Sequence, residues 1–200
     1  MAGDEPLWAH TITEVDYYLM VNPCPQCGKG PMVRTDTSCS PQSGEIVAVE
    51  AICNACSART ALRFACENQL PPGGLESQCI SPVNQPSRII DLCQWLSLFY
   101  RLIESAAAQV SSYQTRQNGF AAALCLAEAL KFYGDDELPP ESAFFSPQSL
   151  DAFHQHCEKF ARQRLRDIQA KLPALPVMAY RLSQDLIPRS KKKKWQFWRR

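Results

Sequence analysis

Two Cys-x-x-Cys pairs, Cys24-Pro25-Gln26-Cys27 and Cys53-Asn54-Ala55-Cys56, constrain this chain more than any other feature. A spacer of two residues makes a turn tight enough to aim both thiolates at one point, with the turn amides folded toward the sulfurs. Glycine after the second cysteine relieves such a turn, and Gly28 stands there. Two turns together supply four sulfurs, the donor set of a closed tetrahedral zinc site. The first twenty residues, MAGDEPLWAHTITEVDYYLM, show no apolar run behind a basic start. No secretory leader is therefore read, and the expected setting is cytoplasmic and reducing, where paired cysteines hold metal rather than disulfides. The expected cofactor is one structural Zn2+ on Cys24, Cys27, Cys53 and Cys56, with redox iron or a dithiol as the competing readings.

The segments around the pairs read as short strands. Tyr17-Tyr18-Leu19-Met20-Val21 has the aromatic and aliphatic character of a strand, and Pro31 to Thr35 reads as another. Glu45 to Ile52 alternates in the strand manner and runs straight into Cys53, and Ser57 to Phe64 follows the second pair. Ser38 to Gly44 is rich in turn formers and reads as a hairpin tip. On these residues the chain resembles the zinc-ribbon family over residues 17–66. The resemblance implies two cysteine knuckles clamping zinc at one end of a three-stranded antiparallel sheet. Two features depart from the family pattern. The 25 residues between Cys27 and Cys53 exceed the common spacing, and Ser57 stands where the second knuckle would carry glycine.

Beyond the ribbon the composition changes. Asn68 to Pro86 holds four prolines and two glycines, so residues 67–86 read as a linker. Apolar residues then recur with helical spacing. Ile89, Cys93, Leu96, Tyr100 and Ile103 lie on one stripe of a helix expected from Ser87 to Val110. A second, alanine-rich helix is expected from Thr115 to Tyr133, closed by Gly134. A third starts at Ser146-Pro147 and carries Leu150, Phe153, Cys157, Phe160, Leu165, Ile168 and Leu172 as far as Pro173. The expectation is thus an α+β chain: a flexible lead-in over residues 1–16, the ribbon, the linker, a three-helix bundle over residues 87–172, and a Pro-punctuated end over residues 173–200. Cys93, Cys125 and Cys157 read as core packing. The acidic run Asp135, Asp136, Glu137 and Glu141 reads as a solvated turn, and His154, His156 and Cys157 point in different directions on a helix, a poor ligand set.

The formal charge of +1 conceals two opposed parts. Seven basic residues and no acidic ones lie between Arg189 and Arg200, so residues 1–188 carry a net −6. In Lys191, Lys192, Lys193, Lys194, Trp195, Phe197, Trp198, Arg199 and Arg200, cations flank rings suited to phosphates and bases or to an anionic membrane surface. The ribbon itself lacks a basic stripe, which favours protein over nucleic acid as partner. No apolar run is long enough for a transmembrane helix. A phosphate-binding glycine loop, a dinucleotide turn, a His-Glu-x-x-His motif and a nucleophile elbow are all lacking, so the expected role is non-enzymatic.

Overall fold

Residues 5–35, 44–67 and 79–186 are described by a computed structural model. A hairpin lies at its centre, formed by the expected strands Ile46–Cys53 (β3) and Arg59–Cys66 (β4) in antiparallel register, with Val49 opposite Leu62. Met32–Arg34 (β2) pairs antiparallel with the end of β3, Met32 facing Cys53. These three strands form an antiparallel sheet. A fourth strand, Leu7–Ala9 (β1), runs parallel to β4 with Leu7 opposite Phe64, giving the order β1-β4-β3-β2. Residues 7–9 are therefore part of the sheet rather than of a flexible lead-in.

Tyr17 to Val21 is helical, contrary to its strand propensity. Helix α1 spans Ile12–Val21, and Thr11 caps it by accepting a hydrogen bond from the Glu14 amide at 3.1 Å. The buried Glu14 carboxylate turns back to accept from the His10 amide at 2.6 Å. Two otherwise orphaned amides are satisfied in this way, and the Thr11-Ile12-Thr13-Glu14 spacing is the sequence signature of such a start. Helical spacing then places Val15 and Leu19 in the core, sets Tyr18 edge-on to Phe64 with ring centroids 5.5 Å apart, and brings Tyr17 within 5.7 Å of Trp95. β-propensity alone buries nothing, whereas these contacts do. The helix is pinned to the sheet edge by Arg34, which donates to both carboxylate oxygens of Asp16 at 2.8 and 3.1 Å.

The stretch expected to be a linker is held firmly where it is described. Thr11 Oγ1 donates to the carbonyl of buried Ile80 at 2.8 Å. The Ser81 amide donates to the buried carboxylate of Glu128 at 3.1 Å, and Lys131 Nζ joins that carboxylate to the Ser81 carbonyl at 2.8 and 3.1 Å. Buried His10 bridges the Glu67 carboxylate and the Pro86 carbonyl, each at 3.1 Å. Over residues 79–86 these bonds fix the path of the chain.

Helix α2 (Leu92–Ala108) starts later than its apolar stripe suggests, because Ser87 Oγ accepts the Ile89 and Ile90 amides and Asp91 forms a reciprocal capping box with Gln94. It packs along helix α3 (Ser112–Leu130), whose last turn tightens into a 3-10 form over Lys131–Tyr133. The expected third helix is broken in two. Helix α4 (Pro147–Gln155) ends at His156, a 3-10 turn covers Cys157–Phe160, and helix α5 (Arg162–Lys171) begins afresh. The break has identifiable causes. The Phe144, Phe153 and Phe160 rings cluster with centroids 4.8 to 5.6 Å apart, Tyr133 Oη donates to the Phe160 carbonyl at 2.7 Å, and Glu137 accepts the Arg162 and Gln163 amides at 2.8 and 3.0 Å. Glu137 thus caps α5 from outside and is not a merely solvated turn residue. The break also leaves Cys157 exposed, whereas Cys125 is buried as expected. Finally, Leu175–Leu186 forms a helix, α6, whose Ala179 and Leu182 are buried and whose Met178 packs at Gly119 of α3. The helices therefore exceed the three expected, while the α+β class stands. One contiguous core runs from Cys24, Met32 and Cys53 through Phe64 and Leu19 to Trp95, Leu98 and Leu126. No helix among the described residues is long and apolar enough to cross a membrane.

Candidate metal centre

The two knuckles are built alike. In the first, the Gly28 amide donates to the Cys24 carbonyl and the Cys24 amide to the Lys29 carbonyl. In the second, the Ser57 amide donates to the Cys53 carbonyl and the Cys53 amide to the Ala58 carbonyl. The residue after each second cysteine is left-handed, Gly28 at φ 66° and Ser57 at φ 60°. Ser57 therefore takes the left-handed backbone conformation that Gly28 takes in the first knuckle, and at this position the two turns differ in residue type alone. Strand β3 leads directly into the second knuckle and β4 out of it. The first follows α1 through Pro23, which ends the helix. The Asn54 amide donates to the Pro31 carbonyl at 3.0 Å and ties the second turn to the exit of the first.

This framework brings Cys24, Cys27, Cys53 and Cys56 together with all four Sγ atoms within 4.8 Å of one another. Two approaches cross between knuckles, Cys24 to Cys56 at 3.8 Å and Cys27 to Cys53 at 3.7 Å. Both distances far exceed the roughly 2.05 Å of a disulfide. They match the edge of about 3.8 Å expected for four sulfurs each about 2.3 Å from a central zinc ion. The donor chemistry thus fits a single tetrahedral metal ion. Cys24 and Cys53 are buried, Cys27 is half-buried and Cys56 is exposed.

The thiols show why a cation belongs among them. Burial raises the Cys53 thiol, but hydrogen bonds led by the Ala55 amide, 3.3 Å from its sulfur, bring it down to about 7. For Cys56 an amide hydrogen bond from Ala58 favours the thiolate, yet the Cys27 sulfur, burial and the Cys53 and Cys24 sulfurs together push it up to about 12. Four sulfurs this close cannot all ionise unless positive charge sits between them.

The other residues singled out from the sequence are placed differently. Lys191 to Arg200, the basic-aromatic tail, and Cys39 lie outside the described residues. His154 and His156 instead approach carboxylates, His154 Nε2 at 3.3 Å from Glu141 and His156 Nδ1 at 3.9 Å from Glu158. Cys66, at the end of β4, is buried and its thiol is raised to about 11 by that burial. The sheet also contains a residue that sequence reading leaves out of it. β1 adds Trp8 to the outer sheet face, where Trp8, Val33 and Ile46 are 47, 50 and 49% exposed. Alternation of apolar Leu7 and Ala9 around Trp8 is the only local signal for that strand, and it is too short to stand out. Comparison with protein-family models gives no match, and neither curated proteins nor solved structures give one.

Proposed function

We propose that this chain is a non-enzymatic zinc-binding protein whose structural zinc ribbon, together with its helical layer, serves as a protein-interaction module in the cytoplasm. The tetracysteine geometry carries the reading. All four positions of a tetrahedral ion would be filled by protein sulfur, so the metal holds the two knuckles together and has no open position for a reacting water. The half-exposed Trp8 and Ile46, which flank Ala65 in one row of the outer sheet face, support the interaction role, since neighbouring exposed apolar side chains of this kind suit a protein partner.

Elemental analysis of the purified chain should give one zinc per molecule, and a clearly lower content after mild purification overturns the zinc assignment. Capture experiments should then compare the intact chain, the Trp8→Asp/Ile46→Asp variant and the variant lacking all four ligand cysteines. Partners retained by all three would remove the sheet face from the account. The competing reading, a nucleic-acid-associated protein that uses Lys191 to Arg200 for phosphate contacts, is separated by deleting residues 189–200. That reading expects salt-dependent RNA or DNA binding to vanish with the tail, whereas the protein-interaction reading expects partner capture to persist.

A further inference from the structure

The break between α4 and α5 builds a pocket that the zinc site does not use. Its floor is apolar: Leu96 and Tyr100 from α2, Ala152 from α4, and Phe160 from the 3-10 turn. Its rim is formed by the cations Lys159 and Arg164 together with the imidazole of His156, and no carboxylate lines it. The pocket is open on one side and its volume is about 390 Å³, within the range of roughly 300–1,000 Å³ typical of small-molecule sites. An unbroken helix would carry Lys159, Phe160 and Arg164 around a single axis. The 3-10 turn and the Tyr133 hydroxyl that holds the Phe160 carbonyl instead bring all three over the side of α2.

The charges on that rim are not neutralised internally. Among the described residues neither Lys159 nor Arg164 forms an ion pair, and the acid nearest His156, Glu158, stands 3.9 Å from its Nδ1. Two permanent cations beside an apolar floor favour a ligand with matching halves. A small inorganic anion would leave Leu96, Tyr100 and Phe160 wet, and a neutral hydrocarbon would leave the cations facing apolar atoms. A planar carboxylate suits the guanidinium fork in particular. We infer that this pocket binds a small amphiphile with a carboxylate head held by Arg164 and Lys159 and an aliphatic body lying on Leu96, Tyr100, Ala152 and Phe160.

The test uses the full zinc-loaded chain and sodium octanoate, titrated by calorimetry and by backbone amide shifts. Saturable binding is expected, with shifts confined to residues around the pocket. Octan-1-ol, which keeps the body, and acetate, which keeps the head, should each bind at least about tenfold more weakly. Arg164→Gln and Lys159→Gln change an exposed and a rim side chain, should fold normally, and should each weaken octanoate by about tenfold. Ala152→Phe fills the floor and should remove binding. The inference is overturned if octanoate shows no saturable binding, if octanol equals it, or if both charge variants retain the parent affinity. The two charge variants decide the matter even if Ala152→Phe fails to fold.

Discussion

Replacing Ser57 with glycine should strengthen zinc binding, and replacing Gly28 with alanine should weaken it by a similar factor. The two residues occupy equivalent places, with φ of 60° and 66°, and their amides make the same hydrogen bond to the first cysteine of their own knuckle. A left-handed conformation costs a residue with a Cβ about 1–2 kcal/mol. Glycine gives back about 0.5–1 kcal/mol through the greater freedom of its unfolded chain. Ser57→Gly should therefore gain about 0.5–1 kcal/mol, which is about two- to fivefold in the coupled equilibrium of folding and metal binding. Gly28→Ala is the reverse experiment, and a clean one: an added Cβ there meets no atom within 4 Å, so backbone conformation alone sets the cost. The assay is competition for zinc with a chromophoric chelator at neutral pH, comparing both single variants and the double variant with the parent chain. The double variant should return close to the parent, because the penalty has only moved from one knuckle to the other. A neutral Gly28→Ala, or single variants that shift affinity in the same direction, would refute the argument from equivalent knuckles.

Chelation of the metal, or Cys53→Ser, should disturb more than the two knuckles and their sheet. Cys24 and Cys53 belong to the core that runs through Phe64 and Tyr18 to Trp95, so near-ultraviolet circular dichroism from the buried Trp95 should change along with the sheet signal; an unchanged aromatic signal would show that the sheet and α2 are uncoupled. Glu128→Ala should destabilise by about 3 kcal/mol or more, since it leaves the Ser81 amide unpaired and Lys131 without its carboxylate. Glu128→Gln keeps an oxygen for Ser81 and should instead alter the pH profile. Burial is the main force raising the Glu128 carboxyl above its ordinary 4.5, against the pull of Lys131. The folded state thus binds that proton more tightly, a contribution fully present below pH 4.5 and lost as pH rises through the raised value. The glutamine variant should gain on the parent as pH rises through that window in urea melts, and parallel profiles would refute the assignment.

Much of the metal centre was legible because its grammar is local: two residues between cysteines, glycine after the first pair, a strand running into the second. The left-handed Ser57 was not, since serine rarely adopts that conformation and only the symmetry of the finished site requires it. The helices of α2 and α3 followed from apolar spacing, with their starts displaced by the side-chain caps of Ser87 and Asp91. Three errors share one cause, that distant residues decide local structure. Strand-prone Tyr17–Val21 coils because Val15, Leu19 and Tyr18 find core positions as a helix. The periodicity from Leu150 to Leu172 continues across a break that Tyr133 and Glu137, from before it in the chain, impose. Residues 79–86 look like a linker because the groups that hold them, Thr11, His10 and Glu128, lie dozens of residues away.

The parallel pairing of β1 with β4 sets an order of events during synthesis. Leu7, Trp8 and Ala9 leave the ribosome before their partners Phe64, Ala65 and Cys66, which are made fifty-seven residues later. At translation speeds of roughly 5–20 residues per second, that is an interval of about 3–11 s. Throughout it the future edge strand has no sheet to join, while the first knuckle, complete at Gly28, already offers two thiols and the second is still to come. Among the described strands the last to be made therefore gives the first its place, and four-sulfur enclosure of a metal ion cannot precede the emergence of Cys56, only a few residues before that pairing partner.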